Sequence, residues 1–269
     1  MPVVRTKDGV DIFAYDWGSG PPVVLIHGWP LNADMWEHQA HHLAANGFRV
    51  IAYDRRGFGR SGKPWTGHDY DTFADDLAAL MEAMDLRGAA LVGFSMGGGE
   101  VARYLSRHGA GRVAKAGLIG AVPPFLLQTA DNPNGAPASV FEGMIAGISA
   151  DRPGFFAGFG PGFYGPPKVS DAVLDWTLTM AMQASLKGTL DCVRAFGFTD
   201  FRGDMKAFTV PTLVLHGEED AIVPIAISGK ASAAAIPGAV LKTYPGAGHG
   251  LCWTHKDQVN ADLTAFLKG

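Results

Sequence analysis

Strand-length apolar runs and stretches of helical periodicity take turns along this chain. Val10–Trp17 reads as a strand, and Pro22–Ile26 as a short buried one that stops at His27-Gly28. Leu31–Ala45 has helical spacing, and Phe48–Tyr53 returns to strand. Asp71–Met84 is amphipathic, with Phe73, Leu77, Leu80, Met81 and Met84 on one face. Strand Ala89–Phe94, helix Met96–Arg107 and strand Val113–Ile119 follow. The alternation resumes with Pro211–His216, Val223–Ala235 and Val240–Tyr244, and closes on a helix at Gln258–Leu267. Near-continuous apolar strands separated by helices imply a mostly parallel sheet covered on both faces, a three-layer α/β sandwich. Between about 123 and 205 the rhythm breaks. Pro, Gly and Phe abound there, and helical spacing is confined to 138–149, 171–187 and 189–197. This stretch is expected to be a helical cap inserted over the sheet's carboxyl edge, with 1–122 and 206–269 forming the core.

A chain of 269 residues, 47% of them apolar, can bury a full core without staples. Its 22 basic and 26 acidic side chains leave a formal charge of −4, which gives no electrostatic footprint for nucleic acid or an anionic membrane. No apolar run approaches the roughly 18 residues of a membrane span, and the N-terminus does not read as a secretory leader. Cys192 and Cys252 are too few for a disulfide framework. A cytoplasmic protein with free thiols is therefore expected.

Two motifs point to ligands and lose on context. Gly57-Phe-Gly-Arg-Ser-Gly62 matches a dinucleotide fingerprint and nearly a phosphate loop. Pro64 stands where a phosphate loop needs a hydroxyl, and Lys63-Pro64-Trp65 prevents a helix from opening on the glycines. A structural turn is the better reading. His38, His41 and His42 share one helix at metal-chelating spacing, but no carboxylate or cysteine partner is near, so a solvated face is expected.

Gly93-Phe-Ser95-Met-Gly97 is stronger. A G-x-S-x-G pattern is weak alone, yet here an apolar strand precedes it and a helix starts at once behind it. That strand–turn–helix is what a nucleophile elbow requires, because the serine occupies strained backbone and small neighbours let strand and helix approach. A serine nucleophile needs a base and an orienting acid, in the order Ser, Asp, His for such a sheet. His249, in a glycine-rich loop just past the last strand, is the best base; His27 and His216 are worse placed, and His255 opens the final helix. Asp220 is the acid at the tip of the loop after Pro211–His216, where Glu218 and Glu219 compete with it. Ser95, Asp220 and His249 are the expected catalytic triad.

The chain resembles the α/β-hydrolase superfamily and, within it, the cofactor-free haloperoxidases and aryl esterases, or perhydrolases. The likeness rests on His27-Gly-Trp-Pro-Leu31, Tyr53-Asp-Arg-Arg-Gly-Phe-Gly-Arg-Ser61, Gly93-Phe-Ser-Met-Gly-Gly-Gly-Glu-Val-Ala-Arg103, His216-Gly-Glu-Glu-Asp220 and Gly248-His-Gly250. The family more often has Asp where Glu218 and Glu219 stand. The resemblance implies that Trp29 and Met96 donate oxyanion-hole N–H groups and that Trp29, Val122, Phe125, Phe159, Phe163 and Ile222 wall the pocket. It implies hydrolysis of small apolar or aryl carboxylic esters, with hydrogen peroxide as a second acceptor that yields a peracid, without metal, haem or other cofactor, in a homo-oligomer. Pro30 goes with peracid formation in relatives; proline fixes its own φ and restricts Trp29, which should hold the Trp29 carbonyl in one orientation. Ser95 excludes the Asp nucleophile of dehalogenases and epoxide hydrolases in its usual form. Lactonases, lactamases and C–C bond hydrolases use the same triad and stay open.

Overall fold

The computed structural model describes residues 2–269. Eight strands form one sheet: β1 (Val3–Arg5), β2 (Asp11–Gly18), β3 (Pro22–Ile26), β4 (Arg49–Tyr53), β5 (Ala89–Phe94), β6 (Val113–Ile119), β7 (Thr212–Gly217) and β8 (Val240–Tyr244). Their spatial order is β1-β2-β4-β3-β5-β6-β7-β8. The pairs β1–β2 and β2–β4 are antiparallel and every other pair is parallel. Alternate residues of each buried strand serve opposite faces. Val24 and Ile26 join one apolar core with helices α2 (Tyr70–Ala83), α3 (Met96–His108) and α8 (Gly229–Ala235). Val23 and Leu25 join the other, with α1 (Glu37–Ala45), α9 (Leu251–Thr254) and α10 (Lys256–Lys268). These are the three layers that the alternation predicts. Among the described residues no helix is long and apolar enough to cross a membrane.

Between β6 and β7 lie α4 (Ala138–Ala150), α5 (Arg152–Tyr164), α6 (Asp171–Met182) and α7 (Leu186–Phe198). The sequence gives no sign of α5, which contains four glycines and two prolines. Pro153 is tolerated in the first turn, where no N–H partner is lost, and the Asp151 carboxylate caps Gly154 N–H at 2.9 Å. Tertiary packing supplies the rest: Phe156 and Phe159 pack on Trp29 with ring centroids 5.4 and 6.0 Å away. Other boundaries differ from expectation as well: the first helix begins at Glu37 rather than Leu31, and α6 ends at Met182 rather than at 187. The short edge strand β1 is too brief to show periodicity, and α8 begins only at Gly229 because the preceding segment is a loop tied to Asp220.

The glycine-rich turn at 57–62 is filled by the protein itself. The Asp54 carboxylate accepts from the N–H groups of Ala33 (2.8 Å) and Arg60 (2.7 Å), and a Cβ at Gly59 would strike it at 2.3 Å. No helix follows, so this is a structural turn.

Strand order reverses between β3 and β5, where chain continuations diverge and leave a crevice at the carboxyl edge. A buried ion pair ties its two sides. Arg55, just past β4, donates from Nε to Glu100 Oε2 on α3 at 2.7 Å, and from Nη2 to the His27 carbonyl at 2.9 Å. The Arg55 N–H also donates to His27 Nε2 at 2.9 Å, so that imidazole carries its proton on Nδ1 and donates to the Gly28 carbonyl at 2.8 Å. Burial and the Arg55 guanidinium hold the His27 pKa well below the usual histidine value. Removing one partner of a fully buried pair strands the other charge, so Glu100→Ala should cost about 3–5 kcal/mol. Urea unfolding at constant m-value would measure it, and a loss under about 1 kcal/mol, typical of an exposed pair, would contradict the assignment.

Candidate active site

Ser95 sits at the junction of β5 and α3 with φ 53° and ψ −119°, one of two non-glycine residues with positive φ among those described. The strain persists because both sides are held. The Ser95 N–H donates to the Ile119 carbonyl at 2.9 Å, and the Ser95 carbonyl accepts from Gly98 and Val122 at 3.0 and 3.2 Å. Close approach dictates the flanking glycines. A Cβ at Gly93 would lie 2.3 Å from the Gly97 carbonyl oxygen, and one at Gly97 would lie 2.3 Å from that of Ile26.

His249 follows β8 and reaches back over the elbow. Its Nε2 lies 2.9 Å from Ser95 Oγ and its Nδ1 2.7 Å from Asp220 Oδ2. The ring is fixed between Phe94 and Phe163, at centroid distances of 4.9 and 5.2 Å. Asp220 is buried, and its Oδ1 accepts from the N–H groups of Ile222 (3.0 Å) and Val223 (2.8 Å). Burial opposes its charge, but the imidazoles of His249 and His216 outweigh that and hold the carboxyl well below the usual carboxylate range. An ionised Asp220 accepts from Nδ1–H, which leaves Nε2 free to take the Ser95 proton.

Two competing residues are engaged elsewhere. Glu218 accepts from the Thr243 hydroxyl at 2.7 Å, and His255, the residue before α10, has its Nδ1 2.9 Å from the Thr254 hydroxyl. His38 packs on Trp253 with tilted rings 4.6 Å apart while His42 pairs with Thr264 at 3.0 Å, and among the described residues no three His, Cys, Asp or Glu side chains converge on a metal site. His216 holds a position that sequence reasoning did not give it. Fully buried behind the acid, its Nε2 lies 2.9 Å from the Val223 carbonyl and 3.3 Å from Asp220 Oδ2. Only its i, i+4 spacing to Asp220 hints at this.

Neither Trp29 N–H nor Met96 N–H has a hydrogen-bond partner among the described residues. Met96 is the first residue of α3, so its N–H carries the partial positive end of that helix. Trp29 is immobilised from the cap: its indole N–H donates to the Thr189 carbonyl at 3.0 Å, and its ring packs on Phe156, Phe159 and Phe196.

Above Ser95 and His249 lies a cavity of about 270 Å³ whose walls carry no Asp, Glu, Lys or Arg side chain. Of the six expected wall residues, Trp29, Val122, Phe159, Phe163 and Ile222 line it. Phe125 does not. Its ring lies under the Arg202 guanidinium at 5.0 Å, and the neighbouring Leu126 takes the wall position. The cap adds Phe141 and Met144 from α4 and Phe196 from α7, contacts that cross helices and leave no local pattern in the sequence.

A serine, an imidazole and a carboxylate in hydrogen-bonded series, with two unpaired N–H groups beside an apolar cavity, define the layout of a serine hydrolase. Residues 21–256 match the family described as alpha/beta hydrolase fold, and the chain belongs to that family. It is 46% identical over 273 residues to a non-heme chloroperoxidase of Kitasatospora aureofaciens, with 99% of each chain covered. A bifunctional esterase/perhydrolase of Acinetobacter calcoaceticus is 45% identical over 276 residues, with both chains fully covered. The crystal structure of a bromoperoxidase from Bacillus anthracis superposes with a TM-score of 0.97 at 45% identity, covering 100% of this chain and 99% of that one.

The elbow contacts set a steric limit. Gly97→Ala should destabilise the protein by about 1–3 kcal/mol or more, because the clashing atom is backbone rather than a movable side chain. Thermal or urea unfolding tests this, and an unchanged midpoint would mean that α3 and β3 are not in contact there.

Proposed function

We propose that the protein is a serine hydrolase of small apolar or aryl carboxylic esters that also transfers the acyl group to hydrogen peroxide, without a metal or haem. The observation that carries this reading is the hydrogen-bonded series Asp220–His249–Ser95 at the floor of the apolar cavity. His249 takes the Ser95 proton as Oγ attacks the ester carbonyl, and Asp220 holds the imidazole and stabilises its charged form. The N–H groups of Trp29 and Met96 meet the developing oxyanion, each worth about 2.7–4 kcal/mol in comparable sites. The alkoxide or phenoxide leaves with the proton from His249. His249 then activates the second acceptor: water gives the carboxylic acid, and hydrogen peroxide gives the peracid, which can oxidise halide in solution.

Two further observations support peroxide as an acceptor. The Trp29 carbonyl has no hydrogen-bond partner among the described residues, so it is free to accept from a peroxide O–H. The curated relatives named above carry perhydrolase and haloperoxidase activities in their names. Free buried thiols at Cys192 and Cys252 suit a cytoplasmic protein.

Hydrolysis of p-nitrophenyl acetate with EDTA present should fall by about 10⁴-fold or more in Ser95→Ala, and by a similar factor in Asp220→Asn, which stabilises the wrong imidazole tautomer. Equal rates in Ser95→Ala and the parent would overturn the triad. Pro30→Leu should lower the ratio of peracid formed to ester hydrolysed, because it releases the constraint on the Trp29 carbonyl. An unchanged ratio would remove Pro30 from the account.

A further inference from the structure

The cavity above Ser95 contains one oxidisable sulfur. Met144, half-buried on α4, lines it beside Phe141 and Phe196; no other methionine among the described residues does so. Cys192 and Cys252 lie outside the lining, and burial pushes both thiols up, so neither presents a thiolate. Ser95, His249 and Met144 line the same cavity of about 270 Å³, so a small product formed at Ser95 is released into the space that the thioether borders.

We propose that Met144 is an oxidation site for the enzyme's own peracid, and that its oxidation limits perhydrolysis during turnover. The inference rests on the perhydrolase reading above. A Met144 Sδ lone pair attacks the outer peroxy oxygen, the O–O bond breaks and an S–O bond forms. The peroxy proton passes to the carboxyl oxygen, so the peracid leaves reduced to its carboxylic acid while sulfur is oxidised by two electrons to the sulfoxide. Peroxide alone is a weaker electrophile, which ties the modification to ester turnover. The sulfoxide is polar where the lining is apolar, so an apolar ester should bind less well to the oxidised protein, and methionine sulfoxide reductases can reverse the change.

The test incubates the full-length protein with p-nitrophenyl acetate and hydrogen peroxide, titrates peracid in the same samples and maps oxygen gain by peptide mass spectrometry. Controls are peroxide without ester, and Ser95→Ala with both reagents. Met84 and Met182, half-buried away from the cavity, report oxidation from bulk solution. Met144 should gain one oxygen at least about tenfold faster than those two, and only in the complete mixture, with KM for the ester rising as it does so. Met144→Leu should keep its own starting rate severalfold longer. If peracid accumulates while Met144 is oxidised no faster than Met84 and Met182, or equally without ester, the proposal is overturned. If no peracid forms, the perhydrolase reading fails and takes this inference with it, an outcome that the titration identifies directly.

Discussion

The positive φ of Ser95 is the constraint on which the site depends. A side chain held in that conformation costs of order 1–3 kcal/mol, and the cost is offset only if strand and helix are locked on either side. Gly93 and Gly97 permit the contact; the backbone bonds to Ile119 and Val122 hold it. The same packing that holds Ser95 in this conformation also starts α3 one residue later, and the first N–H of that helix is left without a partner among the described residues. The strained serine and that free N–H therefore share one steric origin. The Arg55–Glu100 pair extends that rigidity to the His27–Trp29 loop, which carries the second unpaired N–H.

From the floor upward the electrostatics are graded. Asp220 stays charged because backbone N–H groups and two imidazoles surround it. His249 is packed between two aromatic rings, and the cavity above is apolar. Charge developing on the oxygen of a bound ester would thus meet apolar walls, against which fixed dipoles count for more than in bulk water. The cap is more than a roof. Trp29 is bonded to Thr189 and packed on rings from α5 and α7, so the cap and the His27–Trp29 loop form one packed unit.

How much of this is legible in the sequence follows from how local each determinant is. The elbow is written in contiguous residues, since the strand, the glycines and the helix start each leave a direct mark. The order Ser95, Asp220, His249 follows from strand ends, which the periodicity locates. Helix α5 is not legible, because Gly- and Pro-rich sequence is helical there only through contacts with Trp29 and its neighbours. Whether Phe125 or Leu126 faces the cavity depends on the chain path after Pro123-Pro124 and on Arg202, far away in sequence. His216 behind the acid is likewise a product of the loop's fold, with Val223 brought back against it.

The central claim is that hydrolysis and perhydrolysis share one Ser95 acyl-enzyme. The most direct measurement compares several esters of the same carboxylic acid with different leaving groups, at one fixed peroxide concentration. If all pass through the same acyl-enzyme, the ratio of peracid to acid is identical across the series even as overall rates differ. A ratio that varies with the leaving group would contradict a common intermediate, and with it the mechanism derived from this site.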